Sequence, residues 1–222
     1  AVLEEVGLTD IKVSVEDGTE VKAGTTLMSV RGDTRAILLA ERTALNFYSH
    51  LSGIATLTSI WVKEIAGTGC KVRDTRKTTP GMRVLEKYAV RMGGGTNHRM
   101  TLSDAALIKD NHIAAAGGVV AAFAKVRALY PNSEIEIEVD THEQLREVLP
   151  QRPDLVLLDN MSPAQCSEAV AIVSGTCKLE ASGGIAIETA RAYAESGVDY
   201  IAIGALTHSA PVFDIGLDLR AE

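Results

Sequence analysis

Beyond Gly67 the chain repeats one unit, a short apolar run followed by an amphipathic stretch, and no other feature restricts its possible folds as strongly. The runs are 70–73, 105–108, 135–139, 155–158, 178–181 and 200–203, and helix-like stretches separate them at 80–92, 113–130, 141–149, 163–174 and 186–196. Ser162-Pro163 opens one of these helices with an N-cap residue and a proline at the first helical position. Strands that alternate with helices pair in parallel, so the chain reads as an α/β protein built on either a doubly wound sheet or a β/α barrel. Each apolar run ends in polar or glycine-rich residues: Asp74-Thr-Arg-Lys77, Lys109-Asp-Asn111, Glu138-Val-Asp140, Asp159-Asn160, Ser182-Gly-Gly184 and Gly204-Ala205. A doubly wound sheet gathers its site at one switch point, whereas a barrel uses the ends of all its strands. The repeated polar endings therefore predict a barrel with one mouth.

Residues 1–33 have a different texture. Ile11, Val13 and Val15 alternate with polar residues, and Asp17-Gly18 and Ala23-Gly24 read as turns, which predicts a small β-rich unit. From Arg35 to Ala66 the apolar positions recur at helical spacing, with Gly53 expected to break or kink the helix. Phe213, Ile215, Leu217 and Leu219 alternate, and the segment 210–222 is expected to return to the β-rich unit. The expected division is thus 1–41 with 210–222, and a barrel over 42–209.

The chain carries a formal net charge of -7, which argues against a nucleic-acid surface. Against that background Arg73, Arg76, Lys77, Arg91, Arg99 and Lys109, with His98 and His112, crowd into turns between residues 72 and 112. Solvated helix faces mix charges of both signs at helical spacing, so this cluster points to capture of a compact polyanion. No apolar run approaches the roughly 20 residues of a membrane span, and no leader-like pattern precedes the first residues. Cys70, Cys166 and Cys177 are odd in number and lack metal-ligand spacing, which reads as small core residues in a reducing cytoplasm.

Several residues are candidates for chemistry. Ser182, Gly183 and Gly184, with Gly204 and Ala205, follow the last two strands, where barrels commonly hold a phosphate on backbone N–H groups. Glu138 and Asp159 end successive strands and are candidates to bind one divalent cation or to stabilise a developing positive charge. Asp140, followed by Thr141, reads as a helix cap. Lys77 and Lys109 are possible Schiff-base lysines, but the arginines around them favour anion binding.

The strings Asp74-Thr-Arg-Lys-Thr-Thr-Pro-Gly81, Lys87-Tyr-Ala-Val-Arg91, Gly93-Gly-Gly-Thr-Asn-His-Arg99 and Ala105-Ala-Leu-Ile-Lys-Asp-Asn-His112 closely resemble quinolinate phosphoribosyltransferases. Leu157-Leu-Asp-Asn160, Ser182-Gly-Gly184, Gly204-Ala-Leu-Thr-His208, Glu41-Arg-Thr43 with Asn46, and His50-Leu-Ser-Gly53 extend the likeness over essentially the whole chain. The resemblance implies an incomplete TIM-like (β/α) barrel with a small α+β sandwich domain. It also implies a pentosyltransferase of NAD biosynthesis that turns quinolinate and phosphoribosyl pyrophosphate into nicotinate mononucleotide, pyrophosphate and carbon dioxide, with Mg2+. By resemblance, Arg76, Arg99 and Lys109, with His98 nearby, hold the quinolinate carboxylates, and Thr75 and Lys77 border the pocket. Glu138 and Asp159 lie at the ribose and metal, so that Lys77, Glu138 and Asp159 are the catalytic candidates. Ser182, Gly183, Gly184, Gly204 and Ala205 take the 5′-phosphate, while Arg42 reaches the neighbouring subunit's site in a homodimer or higher homo-oligomer. Family members carry roughly sixty further residues before the point matching Ala1, so the sandwich domain is expected to be truncated at its N-terminal side. Two alternatives stand beside this reading: a nicotinate-type phosphoribosyltransferase, and a non-catalytic barrel that binds a phosphorylated metabolite.

Overall fold

The computed structural model of the chain describes residues 1–220. A short helix α1 (Val2–Glu5) leads into an antiparallel pair, β1 (Asp10–Val13) and β2 (Met28–Arg31), joined in register from Asp10 opposite Arg31 to Val13 opposite Met28. Helix α2 (Thr34–Glu64) follows, 31 residues without a break. Its first turn is capped by Asp33, whose Oδ1 accepts the N–H groups of Arg35 and Ala36 at 3.1 Å. Ile37, Ala40, Gly53, Ile54, Thr58 and Trp61 are its buried residues, and each fully buried large apolar side chain among them contributes about 1.5–3 kcal/mol. Gly53 does not break the helix, which runs through it. A Cβ there would collide with the carbonyl oxygen of Pro211, so the glycine admits a crossing segment. That segment is the C-terminal run, where the Phe213 N–H donates to the Ser49 carbonyl at 3.0 Å. Its described residues pair with neither sheet; Ala221 and Glu222, the last of the stretch expected to return, lie outside the described residues.

The remaining elements are β3 (Lys71–Arg73), α3 (Arg83–Met92), β4 (Ala106–Ile108), α4 (Asp110–Ala116), α5 (Val119–Leu129), β5 (Ile135–Val139) and α6 (His142–Val148). They continue with β6 (Leu155–Asp159), α7 (Pro163–Val173), β7 (Lys178–Ser182), α8 (Ile187–Glu195), β8 (Tyr200–Ala202) and α9 (Ala205–His208). All six expected strands form one parallel sheet in the order β3-β8-β7-β6-β5-β4. The expected helix over 113–130 is two helices, because Gly117 and Gly118 take φ of 90° and 133°, outside the helical region. Ser162 caps α7 as the sequence predicts, in a capping box with Gln165.

The sheet curls into a barrel that is left open between β3 and β4. A non-regular segment fills this seam: Thr96 bridges to Arg73, its N–H donating to the Val72 carbonyl at 2.8 Å, while the Asp74 N–H donates to the Thr96 carbonyl at 3.1 Å. The two faces of the sheet differ sharply. Val72, Ile135, Ile137, Val139, Val156, Leu158, Leu179, Ala181 and Ile201 pack into one core with the surrounding helices. The alternate positions, including Arg73, Glu136, Glu138, Leu157 and Glu180, line the inside of the barrel, because neighbours in parallel register share a face. No single helix among the described residues is long and apolar enough to cross a membrane.

Candidate active site

The C-terminal strand ends bring the cations together across the open seam. Arg76 follows β3 and Arg99 lies in the closing segment, so they approach from its two sides. Burial, and then the charge of nearby Arg76, pushes the Arg99 guanidinium below its ordinary range. Arg99 Nη1 donates to the Ala105 carbonyl at 2.9 Å. Arg76 Nη1 is buried and has no hydrogen-bond partner. A buried guanidinium N–H without an acceptor, near a second guanidinium, has the chemistry to receive an anion.

Lys77 lies on the other side of the mouth. Its side chain runs over Gly204 at the end of β8, with Cδ 3.1 Å from where a Cβ would stand, and its carbonyl accepts the Thr207 hydroxyl at 2.8 Å. Thr75 closes the turn locally, its hydroxyl accepting the Lys77 N–H at 3.1 Å. The loop after β7 has Gly183 and Gly184 at φ of 99° and 59°. At Gly183 a side chain is excluded on two grounds, the left-handed backbone and the Oδ1 of Asn160 packed against it. Asn160 is itself at φ 54°, and its amide donates to Asp159 Oδ2 at 2.6 Å. Ser182, Gly183, Gly204 and Ala205 are half-buried and Gly184 exposed, around one rim.

Acidic groups form a second cluster. Glu138, Asp140 and Asp159 each present a carboxylate oxygen within 4.8 Å of the others. Burial, then Glu138 and Asp140, push the Asp159 carboxyl above its ordinary value. Lys109 Nζ is paired with Glu138 Oε2 at 2.8 Å. Asp140 is not the helix cap expected from sequence: Thr141 is, its hydroxyl accepting the Gln144 N–H at 3.2 Å. Three facing carboxylates with a single lysine give an all-oxygen donor set of the kind hard divalent cations prefer.

A buried group that sequence reasoning missed lies one layer deeper. His98 Nε2 is 2.8 Å from Glu136 Oε2 and 3.8 Å from Glu180 Oε1, and Arg73 Nη1 is paired with Glu180 Oε2 at 2.9 Å. The three residues His98, Glu136 and Glu180 are close enough to hold a metal ion. Both ring nitrogens of His98 are already engaged, however, since Nδ1 accepts the Arg99 N–H at 2.7 Å. Burial drives the His98 pKa down to about 4 and raises Glu136 and Glu180 to about 7. In sequence the run Ile135-Glu-Ile-Glu-Val139 imitates a strand with one wet face. The signal available was its setting: a parallel sheet sheathed by helices has no wet face, so alternating charge must point into the barrel.

The outer side of the seam is held by Asp74, which is fully buried. Its carboxylate pairs with Lys87 Nζ and accepts the His98 N–H at 2.8 Å and the Asn97 amide. Arg42 is apart from all of this, exposed on α2 with no ion pair or hydrogen bond among the described residues. One turn further along, Asn46, Phe47 and His50 border a cavity of about 260 Å³ with Thr79 and Met82. A larger cavity of about 370 Å³ sits at the opposite end of the barrel. Its Asp154 and Asp199 already accept the Ile135 and Leu179 N–H groups, which marks it as structural.

The family description "Quinolinate phosphoribosyl transferase, N-terminal domain" matches residues 2–52, and the corresponding C-terminal domain matches residues 54–218. The chain is 53% identical to the carboxylating nicotinate-nucleotide pyrophosphorylase of Mycobacterium leprae, over 98% of this chain and 79% of that protein. It is 43% identical to a probable enzyme of the same name from Bacillus subtilis, over 92% of this chain and 71% of that one. Among solved structures, the nicotinate-nucleotide pyrophosphorylase of Ehrlichia chaffeensis superimposes with a TM-score of 0.93 at 44% identity, covering 98% of this chain and 81% of that one.

Proposed function

Because the chain belongs to the quinolinate phosphoribosyltransferase family, we propose that the barrel mouth holds quinolinate on Arg76, Arg99 and Lys109 while the loops after β7 and β8 hold the phosphate of the second substrate. The chain is a pentosyltransferase of NAD biosynthesis, joining quinolinate to phosphoribosyl pyrophosphate to give nicotinate mononucleotide, pyrophosphate and carbon dioxide. The observation that carries the assignment of residues is the buried, unpartnered Nη1 of half-buried Arg76 within electrostatic reach of Arg99, a pair of guanidiniums suited to a dicarboxylate.

The C1–oxygen bond to pyrophosphate breaks, the quinolinate ring nitrogen bonds to C1, and the 2-carboxylate then leaves as carbon dioxide while its ring carbon takes up a proton. Positive charge develops on the ribose in the first step and on the ring in the second. Glu138 answers the first, its buried carboxylate projecting from β5 into the mouth. Before substrate arrives Lys109 occupies that carboxylate. A quinolinate carboxylate competes for Lys109 and frees Glu138 to face the ribose, so arrival of one substrate readies the group that serves the other. Lys77, poised over Gly204, is placed to meet the phosphate or the departing pyrophosphate. Cations gripping the 2-carboxylate would oppose its loss, so the stronger arginine contacts belong to the 3-carboxylate. Glu138 and Asp159, with Asp140, fit Mg2+ by their donor chemistry, and the ion when bound neutralises the pyrophosphate leaving group. Gly183, Gly184 and Ala205 offer backbone N–H groups and Ser182 its hydroxyl to the 5′-phosphate, and Gly204 lets the chain come close. Arg42 completes a neighbouring subunit's site in a homodimer, and the odd, unspaced cysteines suit a reducing cytoplasm.

The test is release of labelled carbon dioxide from 2-carboxyl-labelled quinolinate. It should require both substrates, and nicotinate should not replace quinolinate as acceptor. Arg99→Ala should weaken quinolinate binding by about 2–4 kcal/mol, since it removes one partner of a desolvated charge pair. Unchanged affinity by calorimetry would remove Arg99 from the pocket.

A further inference from the structure

We propose that Glu136 and Glu180 are positioning residues that hold Arg99 in the anion pocket by gripping the seam segment from inside the barrel. The inference rests on the anion-pocket reading above and adds the means by which that pocket is kept in shape. Arg99 has no strand beneath it. It sits in the segment that stands where the sheet is open, and backbone of this kind is fixed only by what it bonds to.

From the lumen side two bonds reach it. Arg73 Nη1 is held by Glu180 at 2.9 Å, its guanidinium lies 4.6 Å above the Tyr200 ring, and its Nε approaches the Asn97 carbonyl at 3.5 Å. One residue on, His98 Nε2 meets Glu136 Oε2 at 2.8 Å and Nδ1 accepts the Arg99 N–H at 2.7 Å. An N–H donor at Nδ1 requires a lone pair there, which puts the ring proton on Nε2. When ionised, Glu136 accepts and does not donate, so it favours the same tautomer from the other side. The imidazole is thus a fixed strut between β5 and the backbone N–H of Arg99, whose guanidinium is tied at its far end to the Ala105 carbonyl.

The chemistry of the filling supports this role. Barrel interiors are ordinarily packed with branched apolar side chains, as Leu155 and Leu157 are on the intervening strand, both buried. Buried ion pairs add little to stability compared with such packing. Glu136 and Glu180 each retain one buried oxygen without a partner, a cost that apolar residues would not incur. Both stand on regular strands, the firmest supports available, two residues below Glu138 and Ser182.

Glu136→Gln keeps an acceptor for His98 Nε2, whereas Glu136→Leu removes it. Steady-state kinetics should show Glu136→Gln within about threefold of the parent, and Glu136→Leu with a quinolinate KM raised roughly ten- to hundredfold, the range a slightly misplaced binding group produces. The KM for phosphoribosyl pyrophosphate should hardly move. Nitrogen-15 spectra of the imidazole should show His98 protonated at Nε2 and bare at Nδ1 in the parent and Glu136→Gln, and a lost or mixed tautomer in Glu136→Leu. A folded Glu136→Leu with the parent's quinolinate KM overturns the proposal, as does a Glu136→Gln equally damaged. If the leucine variant does not fold, the spectra decide: a protonated Nδ1 in the parent or in Glu136→Gln overturns it. Should Arg99→Ala bind quinolinate like the parent, the anion-pocket reading fails separately, and the imidazole spectra still judge the strut.

Discussion

Glu180 illustrates how a single residue ties stability to pH. Burial first, and Glu136 second, raise its carboxyl from an ordinary 4.5 to about 7, against the pull of His98 and Arg73. A raised folded-state pKa contributes stability that is fully present below about pH 4.5 and is lost as pH rises through about 7. Glu180→Gln lacks this titration. Urea unfolding of parent and variant across pH 4.5 to 8 should therefore show the parent losing ground to the variant with rising pH, by roughly 1–3 kcal/mol in all. A constant difference across that range would mean that Glu180 ionises as freely folded as unfolded. The residue also marks a limit of sequence reading. Glu138 and Asp159 stand out because they end apolar runs. Glu136 and Glu180 do not, since a charge inside a strand looks the same whether water or a barrel lumen lies beyond it. Arg76 and Arg99 were legible as members of a cation cluster, but their approach across a gap in the sheet was not.

At the scale of elements, the repeat of apolar runs located all six parallel strands, because a strand buried on its outer face needs unbroken β-branched and leucine-rich alternation. Glycines were harder to read. Gly117-Gly118 ends one helix and starts another, whereas Gly53 interrupts nothing. The difference is tertiary: Gly53 lies under a crossing carbonyl, and nothing within α2 reports that. A mid-helix glycine ordinarily costs about 1 kcal/mol relative to alanine, so Gly53→Ala would stabilise an isolated helix. Here the new methyl would collide with Pro211, and the substitution should lower stability by about 1–3 kcal/mol, the usual range for overpacking. A rise in the urea midpoint would show that residues 210–220 yield without cost. Within them, Pro211 to Phe213 run against α2, where Ser49 and Gly53 offer a bonded, close-fitting track.

At the scale of the whole molecule, Arg42 is exposed on a helix with Leu38, Leu39 and Phe47 also exposed along it. On the dimer reading, that apolar stretch is covered by a second subunit and Arg42 enters the partner's mouth. Arg42→Ala and Lys77→Ala should each be nearly inactive, since each strips one cation from every site. In a mixed dimer one site regains both and the other lacks both, so mixing the variants under subunit exchange should restore up to half the activity of the mixed species. No recovery despite proven exchange would keep Arg42 within its own chain or outside any site. The seam has a kinetic consequence as well. From β4 to β8 each strand docks on the one before it in the chain, so loop closure is short at every step. β3 must wait for β8, from Lys71 across to Tyr200, and the bond from Arg73 to Glu180 waits with it. Topology thus makes the anion pocket a late product of folding, assembled on a sheet that is already built.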